Sequence, residues 1–281
     1  MIPIFFTPHP LLLDYIESIV IINFDFDIEN NISSIYTFVP THTRILCFYL
    51  ADQVKVKKED NQYALLPRSI IIGQQLKPVV LDLGKIHTCV TIILKPSGMY
   101  RLLGIPQHVM IDRDFDGSQL LGKEVDELIE QLRNSKDNAQ KNILVQEYLL
   151  KKLRKLKPML PFDRAIEALN NAGGNISVDQ LAALSCLSIR QFERISLERL
   201  GLSPKLYSRV VRFNHAYKYK ERFPKINWTT IAHQCGYYDQ MHLIHDFKYF
   251  AGYNPGLLRE TDIKSTVRFQ KLVDEEHYAK L

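Results

Sequence analysis

Cysteine is scarce in this chain of 281 residues. Its four copies, Cys47, Cys89, Cys186 and Cys235, show no CxxC pair and no histidine at a metal-ligand interval. Nothing points to a disulfide framework, and reduced thiols in a cytoplasmic protein are the expectation. Long apolar runs are also missing. No stretch reaches the roughly 18 residues of a membrane span, and Pro10–Ile22 is broken by Asp14 and Glu17 without the basic lead of a signal peptide. His9, His42, His87, His108 and His215 fall into no metal motif, and the alternating Asp112, Asp114 and Asp116 lack the glycine and glutamate of a calcium loop. A phosphate-cradling glycine loop and a nucleophile elbow are absent too. No catalytic residue, metal ligand or cofactor-binding residue is therefore predicted. With 46% hydrophobic and 10% aromatic residues, the chain can bury more than one core.

Charge is unevenly spread. Residues 1–153 hold 16 Lys and Arg against 18 Asp and Glu, whereas residues 154–260 hold 16 against 9, a net +7; the last 21 residues carry four of each. A phosphate-binding face needs such an excess, although solvated helical surfaces also show it.

Residues 1–111 read as mostly β. Apolar runs at Ile32–Val39, Ile45–Leu50, Tyr63–Leu66, Ile70–Gly73, Val79–Leu83 and Thr88–Leu94 are punctuated by turn formers. Leu11–Ile21 does not alternate and reads as a helix. A barrel is preferred over a sandwich for this region. The period then lengthens: Leu120, Leu121, Val125, Leu128, Ile129 and Leu132 suit one helix, and Ile143, Leu144, Tyr148, Leu149 and Leu153 another. These pack on the β region, and one of them is a candidate dimer surface. The five basic residues of Lys151–Lys157 read as a linker, a DNA-near edge or a solvated charge run.

From Phe162 onward short helices alternate with Gly, Ser, Asn and Pro. Ser188 and Asp239 stand as N-caps of two helices, each after a shorter one, with Ser203–Tyr219 between them. Two such units could enter successive major-groove turns of one duplex. The predicted fold is thus α+β in two domains: 1–155, β-rich and barrel-like with packed helices, for sensing or dimerisation; and 156–262, all-α with two helix-turn-helix units. Residues 263–281 form a polar tail.

The run from Trp228 through Gly236, Asp239 and the Phe247-Lys248 pair to Gly252-Tyr-Asn-Pro255 resembles the AraC family of transcription regulators. Leu200-Gly-Leu-Ser-Pro204, with Arg209 and Arg212-Phe213, looks like that family's join between its two helix-turn-helix units. The resemblance covers about 100 residues and implies a DNA-binding regulator. It also reaches back through Leu94–Pro106 to a subset with a poorly characterised N-terminal domain. Two departures stand out. Ser196 occupies a place usually apolar and aromatic, leaving space or requiring a hydrogen bond, and His245 replaces a frequent Arg that could grip guanine bidentately.

Candidate base readers are Ile189, Arg190, Glu193, Gln240, Met241, Ile244 and His245. Gln240 suits adenine and Met241 a thymine methyl. Arg194, Arg209, Arg212, Lys218, Lys220 and Lys248 are assigned to the DNA backbone or to domain bracing. Leu181, Phe213, Trp228, Ile231, Leu243, Phe247 and Phe250 are assigned to the core. Gly236 is read as the turn residue and Cys235 as core packing. Double-stranded DNA is the expected partner, with RNA polymerase implied for an activator, and a homodimer and a small-molecule effector left open; no membrane contact is expected. An enzyme and a DNA-independent interaction scaffold are the alternatives.

Overall fold

The computed structural model describes residues 3–28, 33–57, 60–153 and 156–258. Strands β1 (Ile4–Phe6), β2 (Ile16–Asp25), β3 (Ile35–Phe38), β4 (Arg44–Tyr49), β5 (Lys55–Lys57), β6 (Tyr63–Leu65), β7 (Ser69–Ile72), β8 (Val79–Asp82), β9 (Ile86–Leu94) and β10 (Asp114–Asp116) form two sheets. One has the order β1-β2-β9-β4-β7-β10, the other β3-β8-β5-β6. Between β9 and β10 lies α1 (Gly98–Leu103); α2 (Gly117–Leu121), α3 (Glu124–Arg133) and α4 (Asn138–Lys152) follow.

The larger sheet is covered on both faces. Ile19 and Ile21 of β2 pack with Leu46, Phe48 and Ile92 beneath Val125, Leu128, Leu132 and Leu149 of α3 and α4. Val20 and Ile22 point the other way, into a core shared with Tyr36 and Val56 of the smaller sheet. This burial corrects the helix expected at Leu11–Ile21. Ile19, Val20, Ile21 and Ile22 are all fully buried, so the strand needs no polar face and its sequence shows no alternation. Only Pro10–Leu12 is helical there, as a single 3-10 turn.

A second correction concerns residues 117–132. The expected single helix is two, α2 and α3, interrupted at Gly122, whose φ of +95° breaks the helical path. Ile143, assigned to the apolar face of α4, is exposed, while Val145 is buried in its stead. Arg154, Lys155, Ile32 and the 263–281 tail lie outside the described residues.

Beyond Pro161 the chain is helical: α5 (Pro161–Asn171), α6 (Val178–Leu184), α7 (Ile189–Arg199), α8 (Pro204–Arg222), α9 (Trp228–Gln234) and α10 (Gln240–Ala251). Phe162, Phe192, Phe213, Phe247 and Phe250 build their common core. Helices of seven residues are unstable alone, and caps compensate. The side chains of Ser177, Ser188, Ser203, Asn227 and Asp239 each accept a backbone N–H one turn on, at the starts of α6 to α10. Ser188→Ala is expected to cost about 1 kcal/mol of stability, read as a lowered urea midpoint with an unchanged slope.

The helical core does not close on itself alone. Val39 and the half-buried Leu76 and Ile111 pack into it from the N-terminal part. Asn214 on α8 donates to the Pro40 carbonyl at 2.6 Å and accepts from the His42 backbone at 2.8 Å. Lys95 pairs with Glu167 at 3.1 Å. Among the described residues, no helix is long and apolar enough to cross a membrane.

Candidate nucleic-acid interface

Each of α7 and α10 buries one face and turns the other outward. On α7, Phe192 and Ser196 are buried, whereas Ile189, Arg190, Glu193 and Arg194 are exposed. On α10, Leu243, Phe247 and Phe250 enter the core beside Phe213, and the half-buried Trp228 lies edge-on to Phe247 at 4.8 Å. Met241, His245 and Lys248 are exposed and Gln240 and Ile244 half-buried. Both helices contact α8, which joins the two units. Leu181 and Ile231 of the preceding short helices are fully buried.

The turn before α10 requires glycine. Gly236 has φ +72°, and a Cβ there would lie 2.2 Å from Asn175 Oδ1. Asp239 then accepts from the His242 backbone N–H at 2.8 Å and faces His242 Nδ1 at the same distance. These two contacts, the backbone one first, hold the Asp239 carboxyl below the usual carboxylate range. Thr229 Oγ1 donates to Gln240 Oε1 at 2.7 Å and engages the oxygen of that amide.

The cations divide into two groups. Arg209 donates through Nε and Nη2 to Asp246, at 3.0 and 2.7 Å, and fastens α10 to α8. Arg212 binds Asn175 and the Gly174 carbonyl. Lys220 donates to the carbonyls of Pro224 and Ile226 and lies 5.1 Å from the Trp228 ring. These three brace the domain. Lys218 sits beside Pro40 and Thr41 and lines a cavity between the sheets, so it faces the N-terminal part. Arg190, Arg194 and Lys248 are the exposed cations on α7 and α10. Ser196 is buried and donates to the Leu202 carbonyl at 2.7 Å; this bond satisfies the hydroxyl where an aromatic ring was expected.

Residues 181–261 match the family model described as a helix-turn-helix domain. The C-terminal domain is an AraC-type helix-turn-helix domain. It makes the chain a DNA-binding transcription regulator. No curated protein matches the chain in sequence. Solved structures similar to it include ToxT from Vibrio cholerae O395, at 11% identity over 89% of this chain and 98% of that one, with a TM-score of 0.47. ToxT from strain SCE256 with bound unsaturated fatty acid has 11% identity over 84% and 92%, TM-score 0.45. The AraC-like transcriptional activator CuxR has 11% identity over 82% and 70%, TM-score 0.21. Likeness this low transfers neither site nor ligand.

Two features of the chain, one in each domain, escaped the sequence reading. Tyr238, in the turn before α10, is 89% exposed, although an aromatic after Gly236-Tyr237 looks like core in sequence. It stands edge-on to His242, at 5.8 Å between rings. The other feature is the cavity of about 360 Å³ between the sheets. Ile45, Ile70, Ile72, Val79 and Leu81 wall it, with Tyr49, His87 and Thr91 as polar lining. Its lining comes from strands far apart in sequence, and only their pairing assembles it.

Proposed function

We propose that this regulator reads double-stranded DNA by sequence with two helices in successive major-groove turns. Arg190, with Ile189 and Glu193 beside it, reads bases from α7; Gln240, Met241, Ile244 and His245 read them from α10. Arg194 and Lys248 meet phosphates. What supports this reading is the pair of capped helices on α8 that both turn polar side chains outward while their opposite faces are locked in the core. N-terminal residues of a recognition helix reach base edges. Arg190 and Gln240 stand at such positions, and the His245 imidazole lacks the planar fork with which an arginine grips guanine.

The cavity supports control by a small molecule. Its volume lies in the range of about 300–1,000 Å³ usual for ligand pockets, and its walls are mainly aliphatic, which suits a largely apolar effector. RNA polymerase is a further partner if binding activates transcription, and action on DNA places the protein in the cytoplasm.

Selection from a randomised duplex library by the purified full-length protein, near physiological salt, tests the reading. The expected result is a motif with two short elements about one helical turn apart. Salt-sensitive enrichment without any motif would reject sequence reading by these side chains.

A further inference from the structure

The first recognition helix ends inside the N-terminal part of the molecule. Leu200 is the C-cap of α7, and Arg44 Nη2 donates to its carbonyl at 2.7 Å. Arg44 Nη1 donates to the His42 carbonyl, also at 2.7 Å, and the guanidinium lies 5.6 Å from the ring of Tyr207 on α8. Arg44 is fully buried, and that burial lowers its pKa against the opposing influence of the Tyr207 hydroxyl. A buried cation at a helix C-terminus meets the negative end of the helix dipole and satisfies a carbonyl that the helix itself cannot.

The strand that carries Arg44 has two roles by alternation. Ile45, Cys47 and Tyr49 of β4 line the cavity, while Arg44, Leu46 and Phe48 project from the opposite face. Two further contacts hold the same end of α7. Tyr100 on α1 hydrogen-bonds Glu198, and Gly201 packs so closely that a Cβ would stand 2.7 Å from the Gln107 carbonyl oxygen. By contrast, α10 is fastened to α8 through Arg209–Asp246 and the Phe213, Phe247 and Phe250 rings.

We propose that Arg44 is a positioning residue for DNA recognition. It ties the end of α7 directly to the strand that lines the cavity, beside the buried Arg199–Asp163 pair that holds the same turn to α5, whereas α10 is tied to α8 through Arg209–Asp246. This inference rests on the reading of α7 as a recognition helix. It extends that reading by making the grip of the first unit, and not the second, answerable to the state of β4.

The test is footprinting of the full-length protein on its selected duplex, with the two half-sites scored separately and folding followed by thermal melting. Losing a charge-assisted hydrogen bond suggests that Arg44→Gln requires about tenfold more protein at the α7 half-site. The α10 half-site should stay within about twofold of wild type, the additivity limit for a distant site. Arg44→Lys should restore protection in part, because an ammonium keeps the charge without the planar fork. Should Arg44→Gln fail to fold, Tyr100→Phe loosens the same helix end without removing a buried charge, and the same asymmetry is expected. Equal weakening of both half-sites, or of neither, in a folded variant overturns the proposal. Wild-type protein that protects no half-site assignable to α7 overturns the recognition reading, and this inference with it.

Discussion

Arg190→Ala is expected to weaken binding to the selected duplex by about 1–3 kcal/mol, roughly 5-fold to 150-fold, and to relax preference at one base pair. Arg190 occupies the first turn of α7, exposed, directly after a Ser188 cap that fixes where the helix starts. A guanidinium there can meet two acceptors of a guanine edge at once. Lys248 provides the contrast. It stands in the last turn of α10, where an ammonium can meet a phosphate but carries no base information. Lys248→Ala should therefore weaken all sequences alike and reduce the salt slope by about 1. Anisotropy titrations at several salt concentrations, on the selected duplex and on single-base variants, separate the two. An Arg190→Ala protein whose loss is the same on every sequence would show that this side chain touches phosphate only.

Acid should destabilise the protein through His87. This histidine lies in the wall of the cavity, with its ring 6.0 Å from that of Tyr49. Burial, the dominant effect, brings its pKa down to about 4, against a smaller opposing hydrogen bond to the Leu83 backbone. The folded protein thus keeps His87 neutral where the unfolded chain would protonate it near 6.5. Its contribution is fully present above pH 6.5 and is lost as pH falls from there towards 4. The expected loss approaches about 3 kcal/mol, a large share of a domain's stability. Urea denaturation at pH 7, 5.5 and 4.5, for wild type and His87→Phe, measures it. The difference in stability between the two should shift in favour of the variant as pH falls; parallel curves would show that His87 does not carry the acid sensitivity.

The helical third of the molecule was legible in the sequence because its signals are local. A cap serine or aspartate acts within one turn, Gly236 is demanded by a backbone angle, and Leu243, Phe247 and Phe250 recur at the helical period. Spacing alone also placed the exposed candidates on the outward faces of α7 and α10. It left Arg209 open between a DNA-backbone contact and a brace, and only Asp246, 37 residues away in sequence, makes it a brace.

The β region was legible as strands but not as a layered body. Ile19 to Ile22 carry no alternation because helices cover one face of β2 and the second sheet covers the other, so a local period says nothing about them. The break at Gly122 was hidden because the apolar residues on its two sides continue one apparent stripe. The sequence by itself determined that the C-terminal part is two capped helix-turn-helix units on a basic scaffold, since these features depend on residues within a turn or two of each other. Tertiary structure decided which cations face outward, where the cavity lies, and that Arg44 of a β-strand ends the first recognition helix. Those depend on contacts between residues from about 37 to 156 positions apart, and local patterning encodes no such pairing.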